Sequence, residues 1–441
     1  MYRRFAVLVA TLLAASPDAT SVAAQVAEDS RVALTNVTLI DGTGAAAQPG
    51  MTVLISGGRI EAVFATDAEA LSPEAEIVDL TGHFVIPGLV NTHIHLPMLG
   101  RMRDSVVTGL ERMFYSGVTS LREMAGDTRL SGEIVRAGLL GEIPIPTIYY
   151  AARMAGPTFY ARGGAARTSI GYAPGSAPWA QAVASDTDIE RAVAMAVGTG
   201  ATGLKLYADL DTGLVRTLVV EAHEQGLKAW AHGTVFPTGP LEAVRLGIDG
   251  LSHVCFIFWG LQDRVAATMS ERRPFDAEAV DLSADPYQTL FREMVDRGIV
   301  LDATARNASL NPGAAAAGCG PELLRETLLA ARRAGVRIST GTDYSILDGE
   351  PDPTLFTEIE YLVKIGVLSP LEAINAASLN GATAIGIEES YGTVQRGKVA
   401  DLVILASDPS ADIAALQDVK AVVKSGKIYQ RQEYVSRQFQ R

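Results

Sequence analysis

Residues 84–95 read FVIPGLVNTHIH, an apolar run that ends in two histidines with one residue between them. Successive side chains of a β-strand point to opposite faces, so His93 and His95 project from the same face of a predicted strand. Such a pair suggests a metal site, but two polar residues can also fall this close by chance. Further candidate ligands elsewhere in the chain would favour a metal site over a chance pair.

Seven more short β-rich runs follow, and longer amphipathic stretches separate them. The runs are VTSLREM (118–124), PTIYYAARM (146–154), TGLKLYAD (202–209), LKAWAHG (227–233), GLSHVCF (250–256), IVLDATA (299–305) and RISTGTD (337–343). Eight strands that alternate with helices predict an α/β fold, a closed (β/α)8 TIM barrel. An open doubly wound sheet is the alternative, but no glycine-rich phosphate-binding turn follows the first strand.

The two ends of the chain have a different pattern. VALTNVTLIDG and MTVLISGGRIEAVF near the start, and VADLVILA and VKAVVKSGKIYQ near the end, alternate polar and apolar residues between glycine turns. This pattern is typical of half-buried antiparallel strands. It predicts a small composite β-sandwich domain from residues 30–83 and 390–430, beside a barrel that covers residues 84–389. Two long connections, residues 155–187 and 258–287, interrupt the barrel pattern, and the aromatic residues of the first predict an ordered lid.

Composition and charge exclude several classes of protein. The chain has 441 residues, 48% of them hydrophobic, which is enough for one large core. Its net charge is −13 and it has no basic cluster, which argues against nucleic acid or an anionic membrane as a partner.

The first residues have the features of an export signal. Arg3 and Arg4 precede the apolar run FAVLVATLLAA, and the small residues of SVAAQ predict cleavage after Ala24. We therefore expect an exported protein, periplasmic or secreted, without a stable membrane span; an uncleaved anchor is the alternative. The two cysteines, Cys255 and Cys319, lie in different segments, and we expect two unpaired thiols rather than a disulfide.

Further candidate metal ligands stand at the ends of other predicted strands. His232 closes the fifth strand, His253 lies in the sixth, and Asp343 closes the eighth. The carboxyl ends of barrel strands meet at one mouth, where active sites lie. Four imidazoles and a carboxylate that converge there predict a transition-metal site.

Lys205 on the fourth strand falls between the histidines in chain order. Burial and nearby metal charge lower the pKa of a lysine. The neutral amine can then capture carbon dioxide as a carbamate, an anionic ligand that can bridge two metal ions. An ordinary salt bridge is the alternative for Lys205.

The strand-end residues, taken together, resemble the amidohydrolase superfamily, in its binuclear type with a carboxylated lysine. The matching residues, in chain order, are His93, His95, Lys205, His232, His253 and Asp343. The segments DLTGHFVIPGLVNTHIH and GKVADLVIL are also similar to that family, so the resemblance covers almost the whole chain after residue 24. The segments GATGLKLYAD and EAHEQGLKAWAHGTVFP resemble its imidazolonepropionase-related branch, which includes metal-dependent dipeptidases, prolidases and N-acyl-amino-acid hydrolases. One departure is Val254-Cys255, where many members have glycine after the sixth-strand histidine.

The resemblance implies a ligand set and a mechanism. His93, His95 and Asp343 would hold one divalent ion, most simply zinc. His232 and His253 would hold a second, with the carbamate of Lys205 and a hydroxide between the two ions. Asp343 would take the proton of the hydroxide and pass it to the leaving amine.

Four residues are candidates for contact with the substrate. Tyr207 follows Lys205 by two residues, so both side chains point to the inside of the barrel. Tyr207 can therefore contact the bond of the substrate that is cleaved. Arg122, Arg153 and Arg306 lie at the ends of the second, third and seventh strands, where a guanidinium can clamp a substrate carboxylate; a salt bridge to a neighbouring loop is the alternative for each.

The favoured function is hydrolysis of a C–N amide bond in a small dipeptide or N-acyl amino acid. Hydrolysis of an ester, lactone or phosphotriester on the same centre is the nearest alternative, and deamination of a cyclic amine is a further one. The least favoured alternative is an exported binding protein without catalysis. Barrels of this type often associate, so a homo-oligomer is possible.

Overall fold

A computed structural model describes residues 31–68, 71–96, 103–164, 166–345 and 354–434. The predicted export signal, residues 1–24, lies outside these residues.

The strands, numbered in chain order, are β1 (Arg31–Leu39), β2 (Gln48–Ser56), β3 (Arg59–Ala65), β4 (Glu76–Asp79), β5 (Phe84–Pro87), β6 (Leu89–His95), β7 (Val118–Glu123), β8 (Thr147–Ala155), β9 (Ser176–Ala177), β10 (Ala180–Ala182), β11 (Gly203–Leu206), β12 (Lys228–His232), β13 (Gly250–Ser252), β14 (Val300–Asp302), β15 (Ile338–Ser339), β16 (Tyr344–Ser345), β17 (Leu402–Leu405), β18 (Val419–Lys424) and β19 (Lys427–Gln430).

The α-helices are α1 (Arg103–Tyr115), α2 (Thr128–Leu139), α3 (Pro157–Ala161), α4 (Ile189–Val197), α5 (Thr212–Glu224), α6 (Pro240–Arg245), α7 (Ile257–Gly260), α8 (Asp285–Asp296), α9 (Ala305–Leu310), α10 (Pro312–Ala316), α11 (Pro321–Arg333), α12 (Thr354–Lys364), α13 (Pro370–Ala376) and α14 (Leu379–Ile385). Within the described residues, no helix combines the length and apolar character that crossing a membrane requires.

Parallel strands form the predicted (β/α)8 barrel. In order around it lie β6, β7, β8, β11, β12, β13 and β14, and the short strands β15 and β16 together make the eighth position. The ring closes because β15 pairs with β14 while β16 pairs with β6, with Tyr344 opposite Ile94. Backbone N–H groups of Thr342 and Asp343 also donate to the carbonyl of His93, at 3.0 and 2.8 Å. These bonds hold the end of the eighth strand beside the end of the first.

Helices cover the outside of the barrel through apolar stripes. In α5 the buried residues are Val215, Leu218, Val219 and Ala222, at the spacing of one helix face. Asp211 caps this helix by accepting the N–H of Leu214, as expected of a polar residue at a helix start.

A second, eight-stranded sheet joins the two ends of the chain. Its order is β19-β18-β17-β5-β1-β2-β3, with β4 on β1. Leu34, Val53, Val85, Leu402 and Val423 form part of its own core, fully buried. The alternating patterns at the two ends of the sequence therefore form one layered unit next to the barrel.

The predicted first barrel strand is in fact two strands. Phe84–Pro87 pairs antiparallel with β17 in the second sheet, and only Leu89–His95 enters the barrel. The break falls at Gly88, where a Cβ atom would lie 2.1 Å from Oγ1 of Thr119. A continuous apolar run has the same pattern whether it forms one strand or two strands in different sheets. Only tertiary packing therefore distinguishes the two cases.

The long connection after β8 is ordered, as its aromatic residues predict. Within it β10 pairs with β8, and Tyr160 and Trp179 are buried. The indole N–H of Trp179 donates to the carbonyl of Thr168 at 2.7 Å.

The expectation of unpaired thiols is wrong, because Cys255 and Cys319 form a disulfide. The two cysteines are 64 residues apart in sequence. They meet because the loops after β13 and β14 leave neighbouring strands on the same side of the barrel. Spacing in the sequence gives no indication of this proximity.

Candidate metal centre

The first and eighth strands bring together one set of metal-binding atoms. Nε2 of His95 lies 3.1 Å, and Nε2 of His93 3.4 Å, from Oδ1 of Asp343. One possible ligand atom from each of the three residues lies within 4.8 Å of the others. Two imidazoles and a carboxylate at this separation can hold one divalent ion.

The fifth and sixth strands place two more histidines beside this set. The ring of His253 lies 4.5 Å from that of His232 and 4.6 Å from that of His93, between centroids. His232 ends β12 and is followed by Gly233, where a Cβ atom would lie 2.7 Å from Cβ of Phe256. Glycine there lets the loop after the sixth strand pass close to His232. The structure thus groups all four histidines of the sequence prediction at one mouth.

Asp302, at the end of β14, orients His93. Nδ1 of His93 donates to Oδ2 of Asp302 at 2.7 Å, and both side chains are 1% exposed. This bond puts the proton on Nδ1 and leaves Nε2 free to bind a metal. Burial alone would raise the pKa of Asp302, but His93 and Arg122 beside it hold that pKa below its usual range.

Lys205 lies on β11, next to the strand that ends in His232, and its side chain is fully buried. Burial lowers the pKa of Lys205 to about 7, with Asp302 opposing this and Arg122 adding to it. Among the described residues, neither Nζ of Lys205 nor Nδ1 of His232 has a hydrogen-bond partner. Buried polar atoms without partners are costly, so these two atoms fit a site completed by a bound ion and a bridging group.

Three of these histidines, His93, His232 and His253, remain neutral, as metal ligands must be. Burial lowers the pKa of His93 to about 4, and it lowers the pKa values of His232 and His253 well below their usual range. Burial would raise the pKa of Asp343, but the neighbouring His253 and His93 hold it well below the usual value. Neutral imidazoles around an ionised carboxylate are the protonation states that a divalent cation requires.

Tyr207 is the polar aromatic residue closest to the second pair of histidines. Its ring lies 5.1 Å from that of His232 and 5.0 Å from that of Phe159, which comes from the ordered connection after β8. Burial raises the pKa of Tyr207, so the phenol keeps its proton and can donate a hydrogen bond. Its place fits the predicted contact with a substrate.

The structure contradicts Arg122 as a substrate ligand. Its guanidinium is 1% exposed and pairs with Asp302 at 3.0 Å. It also donates to the backbone carbonyls of Thr92 and Ala384, at 2.6 and 2.9 Å. These partners hold the guanidinium inside the barrel, and at 1% exposure it is out of reach of a substrate carboxylate.

The other two predicted arginines have different surroundings, and Nε of Arg153 has no hydrogen-bond partner among the described residues. Arg153 is 6% exposed, donates to the carbonyl of Ala125 at 2.7 Å, and lies 5.4 Å from the ring of Tyr207. Its guanidinium therefore packs against the ring of Tyr207. The guanidinium of Arg306 packs over Tyr361 of α12, 5.9 Å from the ring centroid. Within the described ranges, no hydrogen bond or ion pair joins the guanidinium of Arg306 to the histidine cluster.

Sequence reasoning missed several residues that shape the site. Asp302 ends the seventh strand in the same way as the predicted ligands end theirs, and that position could have identified it. Asn307 donates from Nδ2 to Oδ2 of Asp343 at 2.8 Å, but it lies in a helix that no sequence pattern relates to the site. Phe256, whose ring lies 4.1 Å from that of His232, was also missed, since Phe258 and Trp259 are the more conspicuous aromatics there.

The fold and this cluster define a class, a (β/α)8 barrel with histidines and carboxylates at the carboxyl ends of its strands. The chain belongs to the amidohydrolase family, whose model matches residues 84–429. The family resemblance seen in the sequence is thereby confirmed.

Relatives of known identity agree with this assignment. Ochratoxinase from Aspergillus niger is 25% identical over 262 residues, which cover 55% of this chain and 49% of that protein. The chain thus spans about half the length of that relative. A solved Xaa-Pro dipeptidase has a TM-score of 0.72 at 21% identity, covering 91% of this chain and 100% of the other. Molinate hydrolase has a TM-score of 0.72 at 19% identity, covering 94% and 98%. At these identities the two structures support the fold.

Proposed function

We propose that the protein is a metal-dependent hydrolase that cleaves the C–N amide bond of a dipeptide or an N-acyl amino acid. The observation that carries this proposal is the buried Nζ of Lys205, which has no hydrogen-bond partner among the described residues and lies near enough to His93 and His232 to help lower their pKa values. Carboxylation would convert this lysine from a cation to an anion and so account for its place among metal ligands. The names of the related proteins, ochratoxinase, Xaa-Pro dipeptidase and molinate hydrolase, are compatible with hydrolysis.

Two divalent ions, which we infer to be zinc, fit the residues present. His93, His95 and Asp343 would hold one ion and His232 and His253 the other. The carbamate of Lys205, formed with carbon dioxide, would supply a further anionic ligand. When bound, such ions polarise a substrate carbonyl and lower the pKa of water.

Asp343 is the proposed proton carrier. Its carboxylate is ionised, and Asn307 fixes its orientation by donating to Oδ2. Held in this way, Oδ2 accepts the proton of the attacking water and delivers it to the nitrogen of the leaving amine. The protonated phenol of Tyr207, whose ring lies 5.1 Å from that of His232, donates to the developing oxyanion.

Metal analysis, mass spectrometry and turnover test this proposal together. Protein produced with zinc should contain two ions per chain and a Lys205 that carries the added mass of carbon dioxide. It should hydrolyse members of a panel of N-acyl amino acids and X-Pro dipeptides. Lys205→Ala should lose turnover and bound metal. Lys228→Ala is the matched control, because Lys228 lies on the adjacent strand but is 43% exposed and pairs with Asp249.

Other outcomes would assign other functions. One ion per chain with an unmodified Lys205 would contradict the two-metal proposal and favour a mononuclear deaminase. Turnover of esters, lactones or phosphotriesters without amides would assign the same centre to that chemistry. Bound metal without turnover of any of these substrates would favour a binding protein.

We also infer that the chain is exported through residues 1–24. The Cys255–Cys319 disulfide supports this inference, because disulfides persist mainly in oxidising compartments. Cell fractionation with determination of the mature N-terminus tests it, and a cytoplasmic protein that retains residues 1–24 would contradict it.

A further inference from the structure

The long connection after the sixth strand contains an arginine, Arg272, that packs against two aromatic residues, Phe256 and Trp259, here called the aromatic wall. The Cζ atom of Arg272 lies 5.5 Å from the ring centroid of Trp259 and 5.7 Å from that of Phe256. Its Nη1 donates to the carbonyl of Met269 at 2.7 Å. Within the described ranges, no carboxylate forms an ion pair with Arg272. A guanidinium has five N–H donors, so most of those of Arg272 remain free.

Arg272 is one aromatic ring away from the proposed metal ligands. Phe256, which it packs against, has its ring 4.1 Å from that of His232 in an edge-on contact. Tyr207 lies on another side of the same histidine, and its ring centroid is 5.1 Å from that of His232. A substrate whose scissile group lies at Tyr207 and His232 would therefore extend along Phe256 toward Arg272.

The segment that bears Arg272 is anchored to the barrel. The backbone N–H of Met269 donates to Oδ1 of Asp209 at 2.8 Å, and the hydroxyl of Thr158 donates to Oδ2 at 2.5 Å. Asp209 follows the fourth strand, so one carboxylate ties together the connections after the third, fourth and sixth strands. The aromatic packing and this anchor hold Arg272 in place before a substrate arrives, which lowers the entropy cost of binding.

We propose that Arg272 is the residue that binds the carboxylate of the substrate, and that the substrates of this site are therefore amides with a free carboxylate next to the leaving nitrogen. This inference rests on the proposed amide hydrolysis and deepens it. Arginine is suited to the task because its planar donors form two parallel hydrogen bonds to a carboxylate, while its face stays on an aromatic ring. Of the three arginines indicated by the sequence, Arg122 is bound to Asp302 inside the barrel and Arg306 packs over Tyr361 of α12.

The test compares an N-acyl-L-phenylalanine with the same compound carrying a carboxamide in place of the carboxylate. The wild-type enzyme should prefer the free acid. Arg272→Met should lower kcat/KM for the acid about 100-fold, chiefly through KM, because two charge-assisted hydrogen bonds are lost. The carboxamide should be hydrolysed at the wild-type rate. Arg272→Lys, which keeps the charge but not the paired donors, should show an intermediate loss.

Arg273→Met is the matched control, because this neighbouring arginine is exposed. It should keep the preference for the acid. Calorimetric binding of the product L-phenylalanine gives a second readout, and it should weaken in Arg272→Met but not in Arg273→Met.

The outcomes separate this inference from the proposed function. Equal turnover of acid and carboxamide by the wild-type enzyme, or an unchanged preference in Arg272→Met, overturns the role of Arg272 while amide hydrolysis stands. Turnover of neither compound nor of any other amide in the panel overturns the proposed function and this assignment with it.

Discussion

Replacing Asp302 by asparagine tests whether the seventh strand organises the metal centre. Oδ2 of Asp302 accepts from His93, Arg122 and Ser252 at 2.7, 3.0 and 2.9 Å, and Oδ1 accepts from Thr92 at 3.0 Å. An asparagine has one oxygen, so its NH2 group must face donors on one side whichever way it is turned. It also removes the anion that balances the buried guanidinium of Arg122.

Two effects of known size follow from this replacement. Removing one member of a buried ion pair costs about 3–5 kcal/mol of stability. Losing the group that orients a ligand histidine typically lowers metal affinity about 10- to 100-fold. We expect Asp302→Asn to show both, because the same carboxylate serves His93 and Arg122.

Urea unfolding of the metal-free protein measures the first effect, and zinc competition with a chelator measures the second. Asp249→Asn is the control, because Asp249 also accepts from a histidine, His223, at 2.8 Å, but at a site where the histidine is 43% exposed. Asp249 also accepts from Nζ of Lys228 and from the backbone N–H of Ala229, so its replacement should cost some stability as well, but it should leave zinc affinity unchanged. If Asp302→Asn had the stability and the zinc affinity of the wild type, the role derived for Asp302 would be wrong.

Three further predictions concern pH, the disulfide and a buried glutamate. Burial lowers the pKa of His93 from 6.5 to about 4, so between these pH values the unfolded metal-free chain binds more protons than the folded one. The free energy of unfolding of the metal-free protein, measured with urea, should therefore fall as the pH falls from 6.5 toward 4. A free energy that does not change with pH would contradict this. Replacing Cys255 and Cys319 by serine opens a link between residues 64 positions apart and should cost about 2–4 kcal/mol in thermal unfolding; an unchanged Tm would refute that value. Glu358 accepts two backbone N–H groups at the start of α9, at 2.9 and 2.7 Å, so Glu358→Leu should cost about 1–3 kcal/mol for each donor left unpaired, and Glu358→Gln clearly less. Equal losses in these two variants, measured by chemical denaturation, would show that the hydrogen bonds are not the cause.

The site residues at the strand ends were predictable because the carboxyl ends of all strands in a parallel barrel lie at the same end of the barrel. Any residue at the carboxyl end of a barrel strand faces the same mouth, so His232 and His253 could be grouped with His93 without knowledge of a single contact. The same rule, applied to every strand, would also have found Asp302. Asn307 could not be found in this way, because it reaches Asp343 from a helix after the strand.

The arginines show the limit of that rule. Arg122 stands at the end of a strand as the histidines do, but its long side chain turns inward to Asp302. Arg272 comes from a long loop and reaches the aromatic wall only because Asp209 anchors that loop. A flexible side chain or a long connection has many possible directions, and its neighbours select one.

The sequence by itself determined the class of fold and the chemical type of the candidate site, through the alternation of strands and helices and the ligand residues that close the strands. Both are local properties, since hydrogen bonding between parallel strands brings their ends together in any sequence with this pattern. Tertiary structure alone decided the split of residues 84–95 between two sheets, the pairing of Cys255 with Cys319, and the packing of Arg272 against Phe256. Each of these depends on contacts between segments far apart in the chain, which packing selects and local pattern does not record.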